Sequence, residues 1–251
     1  VNGSFPAAWF AGLQPPPEMV NEVRISVLLP TRGRPEALAR TIDSLLKSAL
    51  RPESIEILLA VDRDDAATLA MLPELPPCVH SIVMPRRGYG RFNEYLNLLA
   101  RLASGYWTIL WNDDSLMQTP GWDEIICRQP DCIGAMVSNH GYENVMPVVP
   151  RHWVALVGHY SLQTHSDSWW EKISELTGTA RVIPVEFLHD RADLTGNNLD
   201  TTYQERDYKS EDFYSEAIQS LIREDAGSLM AWRRFEASLA ESAQMEAANE
   251  S

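Results

Sequence analysis

Tyr106-Trp107-Thr108-Ile109-Leu110-Trp111 is an apolar run of strand length, and it delivers the chain directly into Asn112-Asp113-Asp114. An open α/β sheet receives its ligands outside the carboxyl ends of its strands, so acids at that position face a bound molecule. Magnesium and manganese prefer oxygen donors. They typically take one or two protein carboxylates while phosphate oxygens and water fill the remaining positions. The motif therefore points to a metal-bridged phosphate ligand. Taken alone it is equally a loop start or a helix N-cap, so the surrounding elements have to decide.

Those elements alternate. Arg24 to Leu29 reads as an apolar, β-branched strand stopped by Pro30, and Pro35 to Ala49 as a helix with Leu38, Ile42, Leu45 and Leu46 on one face. Ile55 to Val61 is a second buried strand, ended by Asp62-Arg63-Asp64-Asp65. Val79 to Met84 is a third, and Arg91 to Ala103 a second long helix. After the acidic turn come Gln118 to Arg128 and the apolar run Cys132 to Ser138. Strand and helix at this spacing predict an α/β fold with a mostly parallel central sheet flanked by helices.

Further on, His152 to Val157 and Arg181 to Leu188 read as strands, and Asp167 to Leu176 and Glu211 to Arg223 as helices. Residues 1–22, with Pro15-Pro16-Pro17, read as an extended lead-in, and 226–251 as a helical tail. The domain between them, 23–225, divides into a nucleotide-binding half over about 23–140 and an acceptor or catalytic half over about 141–225.

The chain has 251 residues, with 35 acidic against 21 basic side chains and a net charge of -14. That excess of acid argues against a general binder of nucleic-acid backbones, whose affinity comes from clustered Lys and Arg. The densest basic group is Arg86, Arg87 and Arg91. Cys78, Cys127 and Cys132 are too few and too irregular for a disulfide framework or a zinc site. No run approaches the roughly 18 apolar residues of a membrane span, and no signal-peptide pattern opens the chain. The expectation is a cytoplasmic protein without a membrane span, of open oligomeric state.

Four segments carry a resemblance. They are Ile25 through Pro35 (Ile-Ser-Val-Leu-Leu-Pro-Thr-Arg-Gly-Arg-Pro), Leu59-Ala60-Val61-Asp62, Gly90 through Asn97, and Asn112-Asp113-Asp114. In order and spacing they resemble the GT-A fold glycosyltransferases of family 2, over roughly residues 24–140. The resemblance implies the GT-A (nucleotide-diphospho-sugar transferase) fold and a role for each matching position. Pro30, Thr31 and Arg32 would line the nucleotide pocket, and Asp62 would accept hydrogen bonds from base or ribose. Arg87, Tyr89, Gly90 and Asn93 would border the same pocket, Gly90 by allowing close backbone approach. Asn112 stands where the family usually has the first Asp of its D-x-D turn, so it would contact ribose or a metal-bound water. Asp114 would be the main ligand of Mn2+ or Mg2+, with Asp113 beside it.

Moving a sugar off a nucleotide requires neutralisation of the leaving diphosphate and a base for the acceptor hydroxyl. Thr164 through Trp170 is similar to the acidic segment that opens a helix in family 2 enzymes and carries their base. Asp167 matches that base best, although it also suits an N-cap; His165 is the runner-up, since imidazole titrates near neutrality. Val185 through Asp190 resembles the late strand that in some GT-A enzymes brings a His to the metal or the diphosphate, and by that resemblance His189 would be a second metal ligand. Trp153, Trp169 and Trp170 either stack on a sugar or fill the core.

The implied activity is metal-dependent transfer of a sugar, with inversion, from a UDP- or GDP-linked donor. Its acceptor would be a hydroxyl on a glycan, lipid, protein or modified DNA base. Two other readings stand beside it. A nucleotidyltransferase would need a Gly-rich basic loop, of which Pro30 to Arg34 is a poor version. A catalytically inactive sugar-nucleotide or carbohydrate-binding protein is kept open by Asn112.

Overall fold

A strand that is apolar on both faces must be covered on both. Ile25–Thr31 (β1) and Ile55–Asp62 (β2) are of this kind, buried at every position but Pro30. In the computed structural model, which describes residues 23–142, 146–190 and 213–249, they pair with each other inside the sheet, β2 one strand in from its edge. The expected lead-in over 1–22 and the first residues of the expected 211–223 helix lie outside the described residues.

Between these strands runs Pro35–Ser48 (α1), which has Pro in its first turn and buries Leu38, Ile42 and Leu45 as one stripe. After β2, Ala66–Met71 (α2) is capped by Asp65, whose carboxylate accepts from Thr68 N at 3.2 Å. Val79–Met84 (β3), Phe92–Leu102 (α3) and Trp107–Leu110 (β4) follow. The order β3-β2-β1-β4 is parallel throughout, with Leu28 opposite both Leu58 and Leu110.

β1 does not stop at Pro30. Leu28 O accepts from Trp111 N, so Leu28 and, two residues on, Pro30 face the β4 side. Pairing with β4 ends at Leu28, while β2 continues alongside to Thr31. The missing proline N–H is therefore not owed to a partner, and the strand runs on.

The rest of the chain is Ser115–Met117 (β5), Trp122–Cys127 (α4), Ile133–Ser138 (β6), Gly141–Tyr142 (β7), Val148–Pro150 (β8), Arg151–Val157 (α5), Ser166–Thr177 (α6), Ala180–His189 (β9) and Glu216–Asn249 (α7). The sheet continues β4-β8-β6-β9-β5, with β7 on β6. The β4–β8, β6–β8, β6–β7 and β5–β9 joins are antiparallel. Parallel pairing thus belongs to the first four strands and to β6–β9.

The expected strand over His152 to Val157 is the helix α5, with Pro150 at its N-cap and Gly158 closing it at φ 85°. An apolar run this short fits either period, and the left-handed glycine after it was the stop signal to weigh. Helix α7 runs unbroken across residues 225 and 226, where the sequence pattern suggested a division. Trp153, Trp169 and Trp170 are at most 1% exposed, so they are core and not sugar platforms. Burying an indole removes about 200 Å² from water, roughly 5 kcal/mol at 25 cal/mol per Å². No helix among the described residues is long and apolar enough to cross a membrane.

Candidate functional site

The carboxyl ends of β1, β2 and β4 lie side by side, and the acidic turn follows β4. Ser115 N donates to Asn112 O at 3.2 Å, which reverses the chain into β5. Asp113 turns inward: Thr31 Oγ1 donates to its Oδ2 at 2.8 Å, and Arg34 donates to its Oδ1 at 3.1 Å. Thr41 Oγ1 donates to the Ser115 carbonyl and lies 3.3 Å from the Asp113 carbonyl. Burial pushes the Asp113 carboxyl up to about 6, against the pull of Arg34. The Asp113 side chain is thus committed to protein partners and holds the turn.

Asp114 shares Arg34 with Asp113 but otherwise meets a different partner. Its Oδ1 lies 3.4 Å from His189 Nε2, and its Oδ2 lies 3.8 Å from the Arg34 guanidinium. Register explains the pairing, because antiparallel β5–β9 sets Ser115 opposite His189 and lets Asp190 N donate to Asp114 O at 2.9 Å. His189 is 4% exposed, and its backbone N–H donates to Asn139 Oδ1 at 2.8 Å. His140 Nε2 lies 3.3 Å from the His189 carbonyl, which it meets as a donor.

Asp114 Oδ1 is buried and receives no hydrogen bond among the described residues, which is costly for a carboxylate. Two atoms each about 2.1 Å from one cation, at right angles, stand about 3 Å apart. An Asp oxygen and a His nitrogen at 3.4 Å therefore fit a shared dication. Among the described residues no third His, Cys, Asp or Glu joins them. Such a site leaves its remaining positions to phosphate and water.

At the end of β2, Asp62 is 2% exposed. Tyr95 Oη donates to its Oδ1 at 2.6 Å and Arg32 to its Oδ2 at 3.0 Å. Arg32 also forks onto Asp64 at 2.6 and 3.1 Å. The Arg87 backbone N–H donates to Tyr95 Oη at 2.7 Å, while the Arg87 guanidinium pairs with Glu94 at 3.2 Å. Tyr89 stacks on Phe92 with ring centroids 5.8 Å apart. A Cβ on Gly90 would meet nothing within 4 Å, so protein packing does not require this glycine.

Asn93 Nδ2 donates to Ser161 O at 3.4 Å. Its neighbour Asn97 holds the same loop more fully, accepting from Tyr160 N and Ser161 N at 2.7 and 3.0 Å and donating to Ser161 O at 2.8 Å. Thr164 Oγ1 then donates to Gly90 O at 2.8 Å, which sets the start of α6 beside the Gly88–Arg91 turn. Asp167 sits in the first turn of α6, accepting from Ser168 N at 2.8 Å. Burial pushes the fully buried Tyr160 hydroxyl upward against a hydrogen bond with the Leu110 backbone, with a smaller upward push from the Asp167 charge. The His165 ring stands edge-on to Phe213 at 5.9 Å.

The structure thus brings Thr31, Asp113, Asp114 and His189 into one cluster, Arg32 with Asp62 into a second, and Gly90 with the start of α6 into a third. Arg34, Tyr95 and Asn97 complete them and were not among the residues singled out. Periodicity places them on helices or caps; only a buried carboxylate or loop in need of a donor reveals them.

The sequence matches the family model described as glycosyl transferase family 2 over residues 26–188. The chain belongs to that family. No curated protein matches it in sequence. Among solved structures, this family 2 chain is similar to S. aureus TarS 1–349 in complex with UDP, at 13% identity and a TM-score of 0.57, covering 80% of this chain and 65% of that one. TarS 1–349 in complex with UDP-GlcNAc aligns at 12% and 0.61, covering 80% and 66%. Mannosyltransferase PcManGT from Pyrobaculum calidifontis, in complex with GDP-Man and Mn2+, aligns at 14% and 0.54, covering 95% and 85%. The chain therefore spans just under two thirds of the TarS chain. These likenesses concern the fold, which is GT-A as the motifs implied: a central curled sheet flanked by helices.

Proposed function

We propose that the chain is a metal-dependent glycosyltransferase that moves a sugar, with inversion, from a nucleoside-diphosphate donor to an acceptor hydroxyl. The observation that carries this is the Asp114–His189 pair, with its buried carboxylate oxygen in need of a partner. Asp114 and His189 would hold Mn2+ or Mg2+. The bound ion supplies electrostatic stabilisation of the charge developing on the leaving diphosphate. Arg34, 3.8 Å from Asp114, balances the acid cluster.

The donor would lie across the ends of β4, β1 and β2. Two strand spacings separate Asp114 from Asp62, roughly 10 Å, about the reach of a nucleoside diphosphate from phosphate to base. Pro30, Thr31, Arg32 and Asp62 would line its base and ribose, with Arg87, Tyr89, Gly90 and Asn93 around the rim. Asn112 would meet ribose or a metal-bound water, and Asp113 would hold the turn that presents both neighbours. Asp167, at the α6 start beside Gly90, would take the acceptor proton, with His165 as its alternative. The UDP, UDP-GlcNAc, GDP-Man and Mn2+ named with the structural neighbours support such a donor and ion. Cys78, Cys127 and Cys132 as free thiols support a reducing, cytoplasmic setting. The acceptor would be a hydroxyl on a glycan, lipid, protein or modified DNA base.

Calorimetry of UDP and GDP binding at increasing Mn2+ tests this. Asp114→Asn and His189→Ala should each cost Mn2+-dependent affinity beyond the roughly 10–100-fold that outer partners of a metal site cost. Asp167→Asn should lower kcat by about 10²–10⁴ and leave the donor Kd unchanged. Absence of nucleotide binding at any Mn2+ concentration refutes the assignment. Loss of donor binding in Asp167→Asn moves the base elsewhere.

A further inference from the structure

His189 closes β9 between two neighbouring strands, and each holds it differently. On one side the antiparallel partner β5 pairs Ser115 with His189, and Asp190 N donates to Asp114 O at 2.9 Å. On the other side the parallel partner is β6, and their last pair is Ser138 with Phe187. Asn139 N then donates to Phe187 O at 3.2 Å. In a parallel ladder the next bond along would run from the N–H two residues on, that of His189, to the backbone carbonyl of Asn139. By that point β6 has ended. Ser138 pairs with Gly141, and its Oγ donates to Gly141 O at 3.0 Å, which turns the chain into β7.

The Asn139 side chain completes the ladder instead. Its Oδ1 accepts from the His189 N–H at 2.8 Å and stands in for the backbone carbonyl, a substitution for which asparagine amides are suited. Asn139 is exposed and His189 is buried, so a surface residue satisfies a buried donor that the sheet leaves over. The grip matters for the imidazole. Its Nε2 lies 3.4 Å from Asp114 Oδ1 and several bonds out from the backbone, so a small rotation of the His189 peptide is amplified at the ring. Metal–ligand distances tolerate only about 0.2 Å. With β5 on one edge and Asn139 on the other, the His189 backbone is fixed from both sides.

We infer that Asn139 is a positioning residue for the divalent cation: its side-chain carbonyl, by holding the His189 N–H, sets the imidazole against Asp114. This rests on the Asp114–His189 metal site proposed above. Asn139 acts through His189 and contributes no ligand of its own.

The test titrates the full chain with Mn2+ alone and reads the free ion by its electron paramagnetic resonance signal, after melting curves confirm that each variant is folded at the assay temperature. Asn139→Ala should weaken Mn2+ binding roughly 10–100-fold. Asn139→Gln keeps the amide but displaces it by one methylene, about 1.5 Å, and should weaken binding as well. Asn139→Asp keeps an oxygen where Oδ1 stands and should bind Mn2+ at least as tightly as the unaltered chain. A merely structural asparagine would lower the melting temperature in Asn139→Ala and leave the Mn2+ affinity of the folded protein alone. Asn139→Ala and Asn139→Gln matching the unaltered chain overturn the inference, as does Asn139→Asp binding as weakly as Asn139→Ala. If Asn139→Ala fails to fold, Asn139→Gln and Asn139→Asp decide between the same outcomes. An unaltered chain that binds no Mn2+ refutes the metal site itself, which is a separate result.

Discussion

Replacing Asp225 with Asn should stabilise the protein above neutral pH and leave it nearly unchanged in acid. Asp225 lies on α7 where it packs on α6, with Trp169 Nε1 donating to Oδ2 at 2.9 Å and His159 Nε2 at 3.5 Å from the same oxygen. Its side chain is 13% exposed. Burial, with a smaller contribution from Glu224 and against the Trp169 hydrogen bond, pushes its carboxyl up to about 7 from 3.8. Burial also lowers His159, which favours neutral imidazole. A carboxyl raised in the folded state adds stability that is complete below the unfolded value and is lost as pH rises through the folded one. The window is therefore about pH 4 to 7, and some three units at about 1.36 kcal/mol each give about 4 kcal/mol. Asn keeps an oxygen for Trp169 and never ionises. Melts of both proteins at pH 4.5 and pH 8 should show similar Tm values in acid and a variant higher by on the order of 10 °C at pH 8. The other carboxylates are common to both proteins, so the change in the difference isolates Asp225. A variant less stable at pH 8 would show that His159 is protonated and pairs with an ionised Asp225.

Two further outcomes follow from the site. Gly90→Ala should leave stability within about 0.5 kcal/mol, since the new methyl meets nothing, yet weaken UDP or GDP binding if a nucleotide approaches that backbone; unchanged binding in calorimetry removes Gly90 from the pocket. Asn97→Ala deletes three hydrogen bonds to the loop before α6, a local cost of about 2–3 kcal/mol. It should lower kcat through misplacement of Asp167 while nucleotide Kd holds, and unaltered transfer kinetics would separate that loop from catalysis.

The elements with strong local pattern were legible. β1, β2, β3 and the helices α1 and α3 announce themselves through mostly apolar runs or a 3.6 period, and the acids lie at the end of β2 and within four residues of the end of β4. β5, β7 and β8 span only two or three residues, too few to show alternation, and α5 is short enough to imitate a strand. Among site residues, Asp62 and Asp114 are visible because a strand end must aim them at the crevice. Tyr95 reads as one more apolar position on α3, and nothing near it in the chain mentions Asp62, 33 residues away.

The order of apolar runs, turns and acids determined by itself that β1, β2 and β4 would bring acids to their carboxyl ends, because side-chain alternation and helical period are local properties of the chain. Only the tertiary structure decided how each acid is used. Asp113 and Asp114 are adjacent in sequence, but one is held by Thr31 and Arg34 while the other meets His189. That division comes from the register of β5 on β9 and from the packing of α1 beneath the turn. Burial makes it decisive, since a desolvated carboxylate takes its character from whichever donor the fold brings within about 3 Å.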